Sequence, residues 1–309
     1  MVYPNRATVE ELETKDILEP VQGRSLWADA RGRFVRNKAA VVSLVLLVLL
    51  GLFALFGDLL TSYDNETVDF TLMGANAYKG VPSLETGHFF GVDNSGRDLY
   101  ARVVQGTGIS IMVGIIGSLV AVTVGTLYGA VAGYFGGRTD NIMMRTVDIL
   151  MSIPFTFVLI LLLIIFGRSI IMIFIGIGLI SWLDMARIAR GQTLSLKNKE
   201  FVEAAVAIGV SPLSIILRHI VPNLLGIVIV YASLLIPVLI IFESFISFLG
   251  LGVQEPNTSL GALINEGASS LGNGTPWQLW FPLTFFVVTV SAFFFLGDGL
   301  RDALDPKDR

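Results

Sequence analysis

Cysteine is missing from the 309-residue chain, and histidine occurs only as His88 and His219. Disulfides, thiolate metal sites and cysteine nucleophiles are therefore excluded together, and a histidine-rich metal centre with them. Charge is scarce as well. Only 15% of the residues are charged, against about 25% in an ordinary soluble domain. Also absent are a G-x-x-x-x-G-K-[ST] phosphate loop, a G-x-G-x-x-G after a strand, and H-E-x-x-H. Neither histidine stands in a G-x-S-x-G setting, which removes a Ser-His-Asp hydrolase. The sequence thus offers no catalytic residues, no metal site and no cofactor site, and any work the chain performs draws its energy from elsewhere. No internal repeat or low-complexity tract is present. What fills the space is apolar: 53% hydrophobic residues and a mean hydropathy of +0.73, the composition of a polytopic membrane protein.

A bilayer core about 30 Å thick takes roughly 20 apolar helical residues to cross. Six segments qualify: residues 39–57, 103–137, 149–167 with Pro154 near its start, 169–183 running on toward Arg187, 220–242, and 277–297. Residues 1–38 are polar and mixed in charge, unlike a cleavable signal peptide, so the first apolar run is expected to remain as a span. The corresponding division is a leader (1–38), a first transmembrane helix (39–60), an extracytoplasmic loop (61–102), a five-helix core (103–300) with a loop at 190–222, and a tail (301–309).

Basic residues orient the chain. With the N-terminus cytoplasmic, 17 of the 21 Lys and Arg fall on inside segments; only Lys79, Arg97, Arg102 and Arg168 fall outside. Both termini are expected in the cytoplasm. Two outer segments are longer than turns: residues 58–102, with the compact run from His88 to Asp98, and the Gly/Asn/Ser-rich 250–276, expected to fold back toward the membrane. Trp277 and Trp280 are placed at the outer interface, where indoles concentrate.

The most informative stretch lies in the basic inner loop. Glu203-Ala204-Ala205 opens a short helix that Gly209 closes in a left-handed turn. Ser211 and Pro212 read as N-cap and first residue of a second short helix. Two short helices at an angle would make a convex knob, which something soluble could grip. An ordinary helical loop is the plainer reading. Gly125, Gly129 and Gly133, with Ala121, form a small-residue face suited to close helix packing, more simply within the chain than between subunits. Glu243 ends the fifth apolar run. A carboxylate there costs roughly 2.5–3.5 kcal/mol on insertion scales, so it faces either a water-filled path or a structural bond near the outer interface. Pro237 would bend that helix. Asp148, one turn after Arg145, reads as a solvated helix-end charge, as do Asp298, Arg301, Asp302 and Asp305.

Glu203-Ala204-Ala205-x-x-x-Gly209 followed by Ile220-Val221-Pro222 resembles the EAA loop of permease subunits in bacterial binding-protein-dependent ABC importers. His88-x-x-Gly91-x-Asp93-x-x-Gly96-Arg97-Asp98-x-x-x-Arg102 is similar to the loop before the permease core in the peptide and nickel branch. Arg187-x-x-Arg190-Gly191, Glu243-Ser244-Phe245-x-Ser247-Phe248-Leu249-Gly250, and Gly297-Asp298-Gly299-Leu300-Arg301-Asp302-x-Leu304-Asp305-Pro306 agree with that branch. The leader, from Gly23 through Trp27 to Lys38, resembles C-type permeases of oligopeptide importers. Val92 stands where the family commonly has Thr, and Gly108 where it commonly has Arg.

The resemblance implies an all-α permease of the type I importer fold with six transmembrane helices in the bacterial inner membrane. Its expected partners are a homologous second permease, two cytoplasmic ATP-binding subunits, an extracytoplasmic peptide-binding protein, the bilayer and a peptide substrate, with no nucleic acid. Glu203, Ala204, Ala205, Gly209, Ser211, Pro212 and Arg218 would couple to the ATPases. Glu243, Ser244, Ser247 and Pro237 are pathway or gate candidates, and His88, Asp93, Arg97 and Asp98 candidates on the outer loop. Dipeptide, murein peptide or nickel chelate are the alternative cargoes. A self-contained secondary transporter or channel using Glu243 and Asp148 is the competing class, and it would call for paired halves that this chain lacks. A membrane anchor without transport would need neither Glu243 nor the Gly-rich outer loop.

Overall fold

The computed structural model describes residues 26–304, and the regular structure among them is helical, with only two isolated antiparallel bridges, Val68 to Arg97 and Val92 to Asp98. The first part of the leader and the tail from Asp305 onward lie outside the described residues. Helix α1 (Leu26–Arg36) leads into α2 (Lys38–Phe56) through Asn37, whose side chain accepts from the Ala40 amide at 3.2 Å. Short 3-10 turns then carry the chain to Asp98, which caps α3 (Leu99–Phe135) by accepting from the Ala101 amide at 2.8 Å. There follow α4 (Gly137–Ser152), α5 (Phe155–Phe166), α6 (Ile170–Leu196), α7 (Glu200–Ala207), α8 (Pro212–Phe248), α9 (Leu260–Ser270) and α10 (Trp277–Leu304).

Helices α2, α3, α6, α8 and α10 are each long and apolar enough to cross a membrane. The span expected at 149–167 is instead a broken one. Helices α4 and α5 meet at 76°, and the break sits on Pro154. Its ring pushes Ile153 into extended backbone (φ −88°, ψ 123°), and it has no N–H to continue a helix. Helix α5 alone, 12 residues, reaches only about 18 Å, so the sixth crossing needs both halves of the pair. Its outer face is strongly apolar and exposed, with Phe157, Leu161, Ile164 and Phe166 uncovered.

Helix α3 is the centre of the bundle, packed on α6 along one face and on α8 along the other. The small-residue face serves packing within the chain. A Cβ on Gly125 would lie 2.5 Å from the Trp182 carbonyl, one on Gly129 would overlap the Ala186 carbonyl, and one on Gly133 would lie 2.8 Å from that of Arg190. Backbone therefore rides on backbone along three turns of α3 and α6. On the opposite side, Gly114 and Gly117 admit Ile236, Leu239 and Ile240 of α8.

Candidate functional site

The inner-loop motif folds as its residue types dictate. Helix α7 carries Glu200 and Glu203 in its first turn, where the helix dipole favours acids. It ends in a Schellman motif: the Val210 amide bonds the Ala205 carbonyl and the Gly209 amide bonds that of Val206, both at 3.0 Å. Gly209 sits at φ +82° with open space around it, so the constraint there is conformational rather than steric.

Two expectations need correction. The second short helix is the first turn of α8, which runs unbroken from Pro212 to Phe248 with one π turn at Ile216–Ile220. Pro222 cannot donate to the carbonyl four residues earlier, and the wider turn before it absorbs that gap. Ser211 has the extended cap geometry (φ −62°, ψ 145°), yet its hydroxyl makes no capping bond. Nor does Ala205 belong to an outward face. It is 4% exposed and packs with Val202, Ile215 and Ile216 in a cluster that includes Ala130 and Met185.

The outward face consists of Glu203, Ala204, Arg218 and an apolar set that the motif alone did not reveal: Phe201, Val206, Ile208 and Leu213, with Ile208 80% exposed. These apolar side chains stand exposed on a short helix bounded by Lys197, Lys199 and Arg218. Beside it, Arg190 of α6 forks onto Asp140 of α4 (2.9 and 2.6 Å), and Arg187 pairs with Asp148 at 2.6 Å. Asp148 and Arg187 both stay about half exposed, so the charge read from the sequence as solvated is also paired. Asp140, which carried no sequence signal, is buried beneath Arg190.

Glu243 lies inside α8 and is fully buried. Its carboxylate accepts hydroxyls from Ser110 of α3 (3.1 Å), Ser244 (3.3 Å) and Ser247 (2.6 Å), with Ser259, the N-cap of α9, also bonded to it. Ser110 in turn accepts the Leu260 amide, and Ser247 the Val253 amide. One carboxylate therefore ties together α3, α8 and the chain entering α9. Ser244, Ser247 and Pro237 are buried alongside it. None of the four gate candidates faces an open passage in this conformation.

The outer-loop candidates are drawn together. His88 Nδ1 meets Asp98 Oδ2 at 2.8 Å beneath a stacked Tyr63. Burial pushes the Asp98 carboxyl above the usual carboxylate range, opposed by the Ala101 amide and His88. Asp93 receives Arg97 at 2.8 Å and Arg102 at 2.6 Å; Arg102 also forks onto Glu266, and Arg97 reaches Glu255 at 2.9 Å. Burial works against the charge on Arg97, but Asp93 and Glu255 outweigh it and raise its pKa. Arg102, Glu255 and Glu266, not among the candidates, lock segment 58–102 to segment 250–276. Trp277 and Gln278 complete the lock by donating to the Val92 carbonyl at 3.1 and 2.9 Å. This explains why position 92 tolerates Val: its backbone makes the bonds while its side chain is wholly buried.

The family described as binding-protein-dependent transport system inner membrane component matches residues 121–309, and the N-terminal TM domain of oligopeptide transport permease C matches residues 25–77. The chain belongs to the binding-protein-dependent inner membrane component family. It is 56% identical over 305 residues to the oligopeptide transport system permease protein OppC of Escherichia coli K12, covering 99% of this chain and 98% of the relative. The Haemophilus influenzae OppC is 53% identical over 305 residues, covering 99% and 96%. The dipeptide transport system permease protein DppC of Bacillus subtilis is 41% identical over 281 residues, covering 91% and 86%. The family-matched region begins within α3 and takes in the α7 corner, Glu243 with Ser244, Ser247 and Ser259, and α10. The protein is a multi-pass membrane transport subunit.

Proposed function

We propose that this chain is the permease subunit of an ABC importer for oligopeptides, working in the bacterial inner membrane with both termini in the cytoplasm. Its partners are a second, homologous permease, two ATP-binding subunits and an extracytoplasmic binding protein that delivers the peptide. The observation that carries the reading is the α7 corner: a short, Gly-terminated helix with an exposed apolar face, set between basic residues outside the spans. ATP-binding subunits grip that face, with Glu203 facing a basic or backbone donor and Ala204 allowing close approach. Because the corner continues directly into α8, a helix of 37 residues and about 55 Å, a push on it is carried along one continuous helix through the membrane. Toward the far end of that helix, Glu243 fastens α8 to α3 and to the chain entering α9, a structural bond. The His88–Asp98 and Asp93–Arg97–Arg102 pairs hold the outer loops in shape for the delivering protein.

Oligopeptide cargo is supported by the names of the relatives at 56% and 53% identity, while the dipeptide relative stands at 41%. The test is uptake by the complete complex reconstituted in liposomes with its binding protein. Longer peptides are expected to enter faster than a dipeptide or a nickel chelate; the reverse order overturns the cargo assignment and leaves the permease reading standing.

A further inference from the structure

Helices α2 and α10 run side by side and leave a groove of about 460 Å³ between them, walled by Val42, Leu46, Val287, Val288 and Phe295, with Lys38 at one end. The helices touch at that end. A Cβ on Gly299 would overlap that of Ala40, so the groove closes toward the ends of the spans and opens toward their middle. Its walls are uncovered: Val42 is 58% exposed, Val287 52% and Phe295 55%. On α10 the groove-facing positions Val288, Ser291 and Phe295 recur every three or four residues, and Asp298 and Asp302 continue the row. On α2 the row is Leu46, Val42, Lys38. Thus Lys38 and Asp298, both exposed, flank the same mouth, and neither forms an ion pair with another described residue. Arg36, Arg301 and Asp302 are also exposed nearby, so the mouth is rich in charge of both signs rather than in one sign.

We propose that this groove is a phospholipid site that seats one acyl chain, and that its mouth selects a zwitterionic headgroup bearing a primary ammonium. Lys38, at the membrane boundary of α2, takes the phosphate, as lysines at helix ends do. Asp298 accepts N–H bonds from the ammonium. A purely anionic headgroup leaves Asp298 without a cationic partner, and a choline headgroup has no N–H to offer. The inference needs only that α2 and α10 cross a membrane. It stands apart from the coupling role of the α7 corner, which it does not touch.

The test uses the intact complex, purified, stripped of lipid with detergent, and given vesicles of phosphatidylethanolamine, phosphatidylglycerol or phosphatidylcholine in turn. Retained lipid is read by mass spectrometry and stability by thermal unfolding. Wild type is expected to keep phosphatidylethanolamine preferentially and to melt higher with it than with the other two. Lys38→Ala and Asp298→Asn should each erase the preference, and Val42→Trp, at an exposed position, should block the groove and lower retention of all three lipids. Equal retention of the three lipids by wild type overturns the headgroup assignment. Unchanged retention in Val42→Trp overturns the groove as the site. Loss of the second permease from the Val42→Trp complex shows that a partner helix occupies the groove instead, and overturns the proposal.

Discussion

Gly209 separates conformation from space. Its φ of +82° belongs to the left-handed region, yet nothing lies within 4 Å of where a Cβ would stand. A β-branched side chain there is strained by about 1–3 kcal/mol, whereas Asn visits that region with little penalty. Gly209→Val is therefore expected to tilt the corner and impair transport while the spans still insert, and Gly209→Asn to stay near wild type. Equal defects in both would mean the side chain itself obstructs a partner. Glu243 makes the complementary case. Removing a buried acceptor leaves its hydroxyl partners unmatched at roughly 1–3 kcal/mol, so Glu243→Ala should lower the melting temperature and abundance of the complex, and Glu243→Gln less so. Uptake per assembled complex is expected to hold. Normal abundance with lost uptake would instead return Glu243 to the translocation path. The left-handed turn at Gly209 was legible because only backbone chemistry decides it. The surroundings of Glu243 were not, since Ser110 and Ser259 lie 133 and 16 residues away in sequence and only the fold brings them to it. For the same reason the motif pointed to Ala205 as a contact, while the fold turns it inward and exposes Ile208.

Among the helices, the α3–α6 contact is set by glycines whose four-residue spacing is plain in the sequence, and the structure seats all three on the backbone of one neighbour. Gly129→Ala is expected to force the two helices apart and cost about 1–3 kcal/mol, as overpacking does. Gly191→Ala, on the same pair of helices but with nothing within 4 Å, should be neutral or slightly stabilising, since Ala is the better helix former. Thermal unfolding of the two purified variants checks this; equal destabilisation would contradict the packing account. Hydropathy located every long helix, because twenty apolar residues in a row have few alternatives in lipid. It misjudged several ends, since α6 runs on to Leu196 and α10 to Leu304. The α4–α5 break was hidden because hydropathy averages over Pro154, and α8 begins eight residues before its apolar run because the amphipathic turn at Pro212 packs on α7 instead of entering lipid. The pairing of Arg190 with Asp140 was equally invisible, being a contact between helices 50 residues apart.

At the scale of the molecule, one long helix, α8, joins two faces. One face is fastened by Arg97 and Arg102, the other carries the exposed apolar corner, and α8 spans the distance between them. Single cysteines introduced into this cysteine-free chain at Ser83 and Asn257 are expected to react with an impermeant reagent added outside, and one at Asn198 to stay silent; the opposite pattern would invert the topology. The most direct test of the central claim is paired measurement of ATP hydrolysis and peptide uptake by the complete complex in liposomes, wild type against Glu203→Lys and Gly209→Val. Charge reversal on a contact surface and a re-aimed corner should both weaken docking. Each variant is predicted to lose its ATP-binding subunits, or to lose peptide-stimulated hydrolysis and uptake while its spans remain inserted. Wild-type subunit stoichiometry together with wild-type uptake in both variants would contradict the account.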